Sequence, residues 1–161
     1  MTILDEIHLT LPNEVTQLSF GSDLAKICSD GTVIGLEGEL GAGKTTLVRG
    51  FLQQFGYVGR VKSPTFALVE NYELGTHKIF HFDLYRLKDP VELDVIGIRD
   101  YFDGHAIILI EWFDRARQRL PVPDIVCLLQ ILKEGRDIHC KALTEKGRQI
   151  IKKFSSDQRI R

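Results

Sequence analysis

Alternating and continuous apolar runs predict β-strands at several places along the chain. Residues 6–11 put Ile7, Leu9 and Leu11 on one side, as in a half-buried strand. Residues 106–110 are wholly apolar, which is typical of a strand covered on both faces. Further strands are predicted over 32–37, 66–73, 78–84, 124–132 and 137–143. Gly75 and Gly135 separate neighbouring segments of this set, so each glycine predicts a β-hairpin.

Helical spacing of apolar residues appears between these strands. Asn13 is suited to cap a helix that ends near Gly31. Its predicted buried face consists of Val15, Leu18, Leu24, Ile27 and Cys28. Other helices are predicted over 44–55, from Pro90 to residue 95, and from the capping residue Thr144 to about residue 154. The order indicates an α/β fold, with a mainly parallel central sheet, antiparallel additions and flanking helices.

The length of 161 residues fits one domain spanning 1–161, with 154–161 expected to be a flexible basic tail. The net charge is −1, but residues 133–161 carry nine Lys/Arg against four Asp/Glu. That excess is typical of a solvated helix face, and it is also compatible with a contact to phosphate backbones. No signal peptide or membrane span is evident, and the three cysteines lack metal-site spacing, so we expect a cytoplasmic protein with reduced thiols.

The segment GELGAGKT at residues 38–45 matches the GxxxxGK[ST] phosphate loop, with a predicted strand before it and a helix after it. Backbone N–H groups of such a loop turn onto phosphate oxygens. Lys44 is expected at the β- and γ-phosphates, and Thr45 at Mg²⁺. The absence of an NKxD segment favours ATP over GTP. The predicted nucleotide-binding residues of the loop are Glu39, Leu40, Gly41, Ala42, Gly43, Lys44, Thr45 and Thr46.

Two predicted strands end in a carboxylate. Glu111 follows the apolar run at 106–110, and Asp83 ends the segment IFHFD. One acid is expected to serve the metal and the other to orient an attacking water. The segment SPT at residues 63–65 has the spacing of a nucleotide switch and, equally, of an ordinary connection.

Other polar residues near these motifs have ordinary explanations. His81 alternates with two phenylalanines and is more typical of a packed or hydrogen-bonded residue than of a catalyst. Tyr85 and Arg86 are candidates to contact a phosphate or an acid. The three arginines between residues 115 and 119 are candidates for a lid, although a solvated helix accounts for them better.

Five segments occur in the order of one known family: GELGAGKTT, KSPTFALVENYE, HFDLYRL, ELDVIGIRDYF and IEW. Together they resemble the TsaE family (formerly YjeE), the bacterial ATPases of tRNA threonylcarbamoyladenosine biosynthesis. The resemblance covers about residues 11–143, and it implies a P-loop NTPase-like domain that binds ATP and Mg²⁺.

The resemblance also implies a function. Such proteins act with TsaB and TsaD to attach threonylcarbamoyl to the adenosine beside the anticodon in tRNAs that read codons beginning with A. It implies that Thr45 and Glu111 are metal ligands, that Asp83 supports hydrolysis and that Thr65 lies in a switch segment. Asn13 and Glu14 resemble the place that holds the adenine edge. Contact with tRNA is expected at most through the complex.

Two other functions stay open from the residues alone. A small-molecule kinase on the same loop would transfer the γ-phosphate to a metabolite. A nucleotide-dependent binding switch would change shape with little catalysis.

Overall fold

The computed structural model describes residues 2–64 and 67–156, which form one α/β unit. The strands are β1 Asp5–Leu11, β2 Val33–Glu37, β3 Val69–Leu74, β4 His77–Asp83, β5 Ile107–Glu111, β6 Ile125–Ile131 and β7 Arg136–Ala142. The helices are α1 Glu14–Ile27, α2 Lys44–Gln54, α3 Glu92–Val95, α4 Ile98–Tyr101, a 3₁₀ helix Phe113–Arg119 and α5 Glu145–Ser156.

Within the described residues, the strands form one seven-stranded sheet in the order β1-β7-β6-β2-β5-β4-β3. The four central strands, β6, β2, β5 and β4, run parallel to one another. β7 and β1 add antiparallel strands at one edge, and β3 adds one at the other. The predicted parallel core with antiparallel additions is therefore confirmed.

The central strand β5 explains why its sequence is apolar throughout. Ile107 and Leu109 belong to a core cluster under α1, α2 and α5, whereas Ile108 and Ile110 belong to a second cluster on the opposite face. Every residue of β5 is buried, including Glu111 at its carboxyl end. Because both faces are covered, the strand shows no alternation of polar and apolar residues.

Helix α1 begins as predicted, but its buried face is different. The Asn13 side chain accepts a hydrogen bond from the backbone N–H of Thr16 at 2.9 Å, which completes a capping box. The predicted contact Val15 is 70% exposed, so that assignment was wrong. The residues of α1 that are buried are Gln17, Phe20, Gly21, Leu24 and Ala25.

Glycines allow close contact between α1 and α2, and Gly21 lies on the buried face of α1. A Cβ atom on Gly21 would lie 2.2 Å from the backbone oxygen of Leu47, and one on Gly50 would lie 2.1 Å from that of Leu18. Neither space admits a side chain without a backbone shift. The two helices therefore pack backbone to backbone at these points.

Both predicted hairpins are present. β3 and β4 pair antiparallel across the turn at Gly75, and β6 and β7 do so across Gly135. The first strand begins at Val69 rather than at residue 66, and residues 65 and 66 lie outside the described residues. In the described chain, no helix has the length and apolar character needed to cross a bilayer.

The remaining helices differ from the prediction in their limits. The helix after Pro90 is a single turn, and Gly97, at a φ of 72°, separates it from α4. Thr144 caps α5, accepting a hydrogen bond from the backbone N–H of Gly147 at 3.1 Å. The expected tail began too early, because α5 extends to Ser156 and Phe154 is 2% exposed. Residues 157–161 lie outside the described residues.

Candidate functional site

The GELGAGKT segment forms the predicted loop between β2 and α2, at the carboxyl edge of the parallel strands. Gly38 and Gly43 have φ angles of 147° and 108°, in the region that favours glycine. A Cβ on Gly43 would also lie 2.5 Å from the side-chain oxygen of Gln17. The strand before the loop and the helix after it are both where the motif requires them.

Lys44 places a cation at the base of this loop. The residue is 5% exposed, and its Nζ donates hydrogen bonds to the backbone oxygens of Gly38 and Glu39, the latter at 3.0 Å. The same Nζ lies 4.1 Å from the centre of the Trp112 ring. Burial lowers the pKa of Lys44, and the charge of Glu111 opposes that change.

Asp83 and Glu111 lie side by side, as the strand order requires. They are direct partners in the register of β4 and β5, and they are 5% and 3% exposed. An Asp83 oxygen accepts a hydrogen bond from the backbone N–H of Tyr85 at 2.9 Å. Burial raises the pKa of Asp83, the Tyr85 hydrogen bond opposes this, and the nearby Glu111 adds to it.

Glu111 is joined to the phosphate loop through Thr45. The Thr45 hydroxyl lies 2.9 and 3.0 Å from the two carboxylate oxygens, so it donates to this group. The described residues include no cluster of three or more His, Cys, Asp or Glu side chains suited to hold a metal. A hydroxyl and one or two carboxylates beside a phosphate site are instead the donor set that fits Mg²⁺. Thr45 and Glu111, the two predicted metal ligands, therefore lie next to each other at the phosphate loop.

A cavity of about 380 Å³, called the main cavity below, opens over these groups. Its lining includes most of the predicted loop, both carboxylates and two aromatic side chains. The lining residues are Leu40, Gly41, Ala42, Gly43, Lys44, Thr45, Thr46, Ser63, Asp83, Tyr85, Arg86, Glu111 and Trp112. Glu39 contributes its backbone oxygen to Lys44 and is not among the lining residues. Thr65, the predicted switch residue, lies outside the described residues.

A second cavity, of about 330 Å³, also borders this loop. Asn13 and Glu14 line it, and Gly41, Gly43 and Thr46 border both cavities. The Glu14 carboxylate accepts a hydrogen bond from Arg49. The residues expected beside the adenine are thus next to the phosphate loop.

Sequence reasoning missed Arg136, which holds the phosphate loop from β7. Its guanidinium donates hydrogen bonds to the backbone oxygens of Gly41 at 3.1 Å, Ala42 at 3.2 Å and Gly135 at 2.7 Å. No local motif marks this residue. Its position follows from the sheet order, which brings the β6–β7 hairpin beside β2 and its loop.

Trp112 has an unusual backbone and a central position in the site. Its φ of 59° lies in the left-handed region, which a non-glycine residue rarely adopts. Its ring lies 4.9 Å from that of Tyr85, and the Arg115 guanidinium lies 5.4 Å from it. The side chain therefore forms an aromatic wall against Lys44.

The other two arginines of the 3₁₀ helix do not form a lid in this structure. Arg117 donates a hydrogen bond to Glu37, and Arg119 donates one to Asp94 at 2.7 Å. Neither residue lines the main cavity. The interpretation of this segment as a solvated helix with paired charges is the better one.

Comparison with known proteins supports one family. The family model described as threonylcarbamoyl adenosine biosynthesis protein TsaE matches residues 11–146. A Haemophilus influenzae protein named tRNA threonylcarbamoyladenosine biosynthesis protein TsaE is 45% identical over 158 residues, covering 95% of this chain and 100% of the relative. A Rickettsia felis protein of the same name is 35% identical over 137 residues, covering 84% of this chain and 79% of the relative.

The fold agrees with that of a solved structure. Bacillus subtilis YdiB matches with a TM-score of 0.82 at 24% sequence identity, covering 96% of this chain and 97% of the other. The motif order, the phosphate loop and these relatives lead to the same assignment. The chain belongs to the TsaE family of threonylcarbamoyladenosine biosynthesis proteins.

Proposed function

We propose that this protein is a Mg²⁺-dependent ATPase that supports threonylcarbamoyladenosine formation in tRNA, together with TsaB and TsaD. The observation that carries the proposal is the contact of the Thr45 hydroxyl with both oxygens of Glu111, beside the buried cation of Lys44. This hydroxyl, carboxylate and lysine are the groups that P-loop hydrolases use around the β- and γ-phosphates.

Each group has a separate role in the proposed reaction. Lys44 offsets negative charge on the phosphate oxygens, and the backbone of residues 38–45 cradles them. Thr45 and Glu111 hold Mg²⁺, which when bound neutralises charge on the β- and γ-phosphates. Asp83 faces the same cavity from the neighbouring strand and orients the attacking water.

Partner proteins complete this site in our proposal. The main cavity is bordered by Ser63, the first residue of the SPT segment with the spacing of a switch, and by the exposed Leu40. An open site of this kind leaves the γ-phosphate accessible to solvent, which slows hydrolysis when a protein acts alone. We therefore expect TsaB and TsaD to accelerate hydrolysis by binding near the border of the cavity at Ser63 and Leu40.

The biochemical test is ATP hydrolysis followed as phosphate release to water, with and without TsaB and TsaD. Lys44→Ala should abolish most nucleotide binding and hydrolysis without unfolding the domain. Lys152→Ala, on the exposed side of α5, is the matched control and should behave as the wild type. Unchanged affinity and turnover in Lys44→Ala would refute the site, and phosphate transfer to a metabolite would favour a kinase.

The cellular test is the threonylcarbamoyladenosine content of tRNA in cells that lack the protein. Loss of the modification, restored by the wild type but not by Lys44→Ala, is the expected result. Normal modification in the deletion strain, with no second copy of the gene, would refute the proposed role.

A further inference from the structure

His81 is buried directly behind the carboxylate of Glu111. The residue is 0% exposed, and its Nε2 lies 2.6 Å from Oε2 of Glu111. Sequence reasoning placed His81 among packed or hydrogen-bonded residues, and the structure shows which partner it has. The contact joins the middle of β4 to the end of β5, under the floor of the main cavity.

The chemistry of the contact fixes its direction. An ionised carboxylate only accepts hydrogen bonds, so the proton must lie on Nε2 of His81. Nδ1, the other ring nitrogen, is buried and has no hydrogen-bond partner among the described residues. A buried polar atom without a partner is unfavourable, and a leucine would fill this space without that cost. Packing alone therefore does not account for a histidine here.

Two side chains from different elements contact the Glu111 carboxylate. Thr45 reaches both carboxylate oxygens from the phosphate loop, and His81 reaches Oε2 from the sheet. A glutamate side chain has several rotatable bonds, and a single hydroxyl that itself belongs to the metal site is a weak restraint on them. The hydrogen bond from His81 holds the carboxylate plane from the protein interior, independently of the loop.

We infer that His81 is a positioning residue that orients Glu111 for Mg²⁺ through the Nε2 hydrogen bond. The inference rests on the proposed function, because it gives Glu111 the role of a metal ligand. Groups that hydrogen-bond to a metal ligand typically change metal affinity about 10–100-fold when they are removed. His81 should thus affect the magnesium requirement of nucleotide binding, more than nucleotide binding itself.

Three substitutions separate this role from packing. His81→Gln keeps an N–H donor at the same number of bonds from the backbone as Nε2. His81→Asn places its donor one bond shorter, and His81→Leu removes it. Of these, only His81→Gln should preserve the hydrogen bond to Glu111. His77→Leu is the control, because His77 is on the same strand and contacts Asp30 at the surface, at 3.0 Å.

The experiment measures binding of a fluorescent ADP analogue while Mg²⁺ is titrated, with the affinity in EDTA as the reference for each variant. We expect His81→Leu and His81→Asn to raise the Mg²⁺ midpoint about tenfold or more. The midpoint for His81→Gln should stay within about threefold of that of the wild type, and His77→Leu should not change it. Thermal unfolding of each variant establishes that it is folded.

The outcomes distinguish the two proposals. If the wild type binds the nucleotide without any dependence on Mg²⁺, the proposed function and this inference both fail. If the wild type depends on Mg²⁺ but His81→Leu has the same midpoint, only the inference fails. Equal shifts in the glutamine and asparagine variants would show that His81 acts by packing. If His81→Leu does not fold, the comparison of glutamine with asparagine still decides the question.

A second measurement needs no metal. The Nε2–H proton of a histidine that donates to a buried carboxylate is protected from exchange with water, so its NMR signal should be visible in the free protein. We expect this signal to shift in Glu111→Gln and to be absent in His81→Gln. A signal that does not respond to Glu111→Gln would contradict the hydrogen bond on which the inference depends.

Discussion

Replacement of Arg136 by alanine tests whether the β6–β7 hairpin holds the phosphate loop in place. The substitution removes two hydrogen bonds to the loop, from the guanidinium to the backbone oxygens of Gly41 and Ala42. Gly41 is exposed, so water can replace its lost donor at little cost. Ala42 is 0% exposed, so its oxygen is left buried without that donor.

The size of the effect follows from this difference. Loss of the donor to a buried acceptor costs about 1–3 kcal/mol, whereas loss of the donor to an exposed acceptor adds at most about a few tenths of a kcal/mol. We therefore expect a total loss of about 2 kcal/mol. If the loop relaxes in the free protein, the loss appears as a decrease in nucleotide affinity of up to about 30-fold, since each 1.4 kcal/mol is a factor of ten. If the loop keeps its shape, the loss appears in the free energy of unfolding.

The assay combines calorimetric titration with Mg²⁺ and ADP and urea unfolding of the free protein. Arg136→Lys should recover less than half of the loss, because an ammonium cannot reach both oxygens in the geometry of a guanidinium. Arg148→Ala is the control, since Arg148 pairs with the exposed Glu145 on α5. An Arg136→Ala protein that matches the wild type in both affinity and unfolding would refute the role of the hairpin.

Three further predictions follow from the same structure. Asp83→Asn should bind ATP almost normally and hydrolyse it poorly, whereas Glu111→Gln should also need more Mg²⁺; a magnesium titration with the opposite pattern would mean that the two roles are exchanged. Gly50→Ala should lower the free energy of unfolding by about 1–3 kcal/mol or more, because its Cβ would lie 2.1 Å from the Leu18 oxygen; an unchanged urea midpoint would contradict this packing. Cys28 is partly buried, and desolvation raises its pKa well above the ordinary value, so at pH 8 this thiol should react with iodoacetamide more slowly in the native protein than in urea; equal rates would contradict the raised pKa.

The strand segments, the two hairpins and the position of the phosphate loop could be predicted because they depend on short-range patterns. GELGAGKT, the apolar run before Glu111 and the glycines of the two hairpins are each local in the sequence, and each appears where it was expected. Parallel strands then bring Asp83 and Glu111 to one edge of the sheet. In this region, local sequence patterns are sufficient to predict where the loop and the ends of the strands lie.

The buried face of α1 could not be predicted in the same way. Val15 is more apolar than Gln17, yet Val15 is 70% exposed and Gln17 is 7% exposed. The buried face includes Gly21, where α2 approaches the backbone, so the packing of α2 matters there in addition to hydrophobicity. A local pattern gives no information about which helix will pack there.

The contacts of His81 and Arg136 were missed for a related reason. His81 and Glu111 are 30 positions apart, and Arg136 and Gly41 are 95 positions apart. Both contacts depend on which strands are neighbours and in which register they pair. A single sequence gives the residue types at these positions. Their hydrogen-bond partners become known only when the strand order and register of the sheet are known.

The glycine contact between α1 and α2 has a consequence for how a nucleotide would be accommodated. Asn13 caps α1 and borders one cavity, while α2 begins at the phosphate loop. Because the helices meet backbone to backbone, we expect the distance between these two helix ends to be nearly fixed. We expect neither helix to tilt to fit a ligand of a different length. A nucleotide of the right length would then bind without the entropic cost of bringing the two helix ends together.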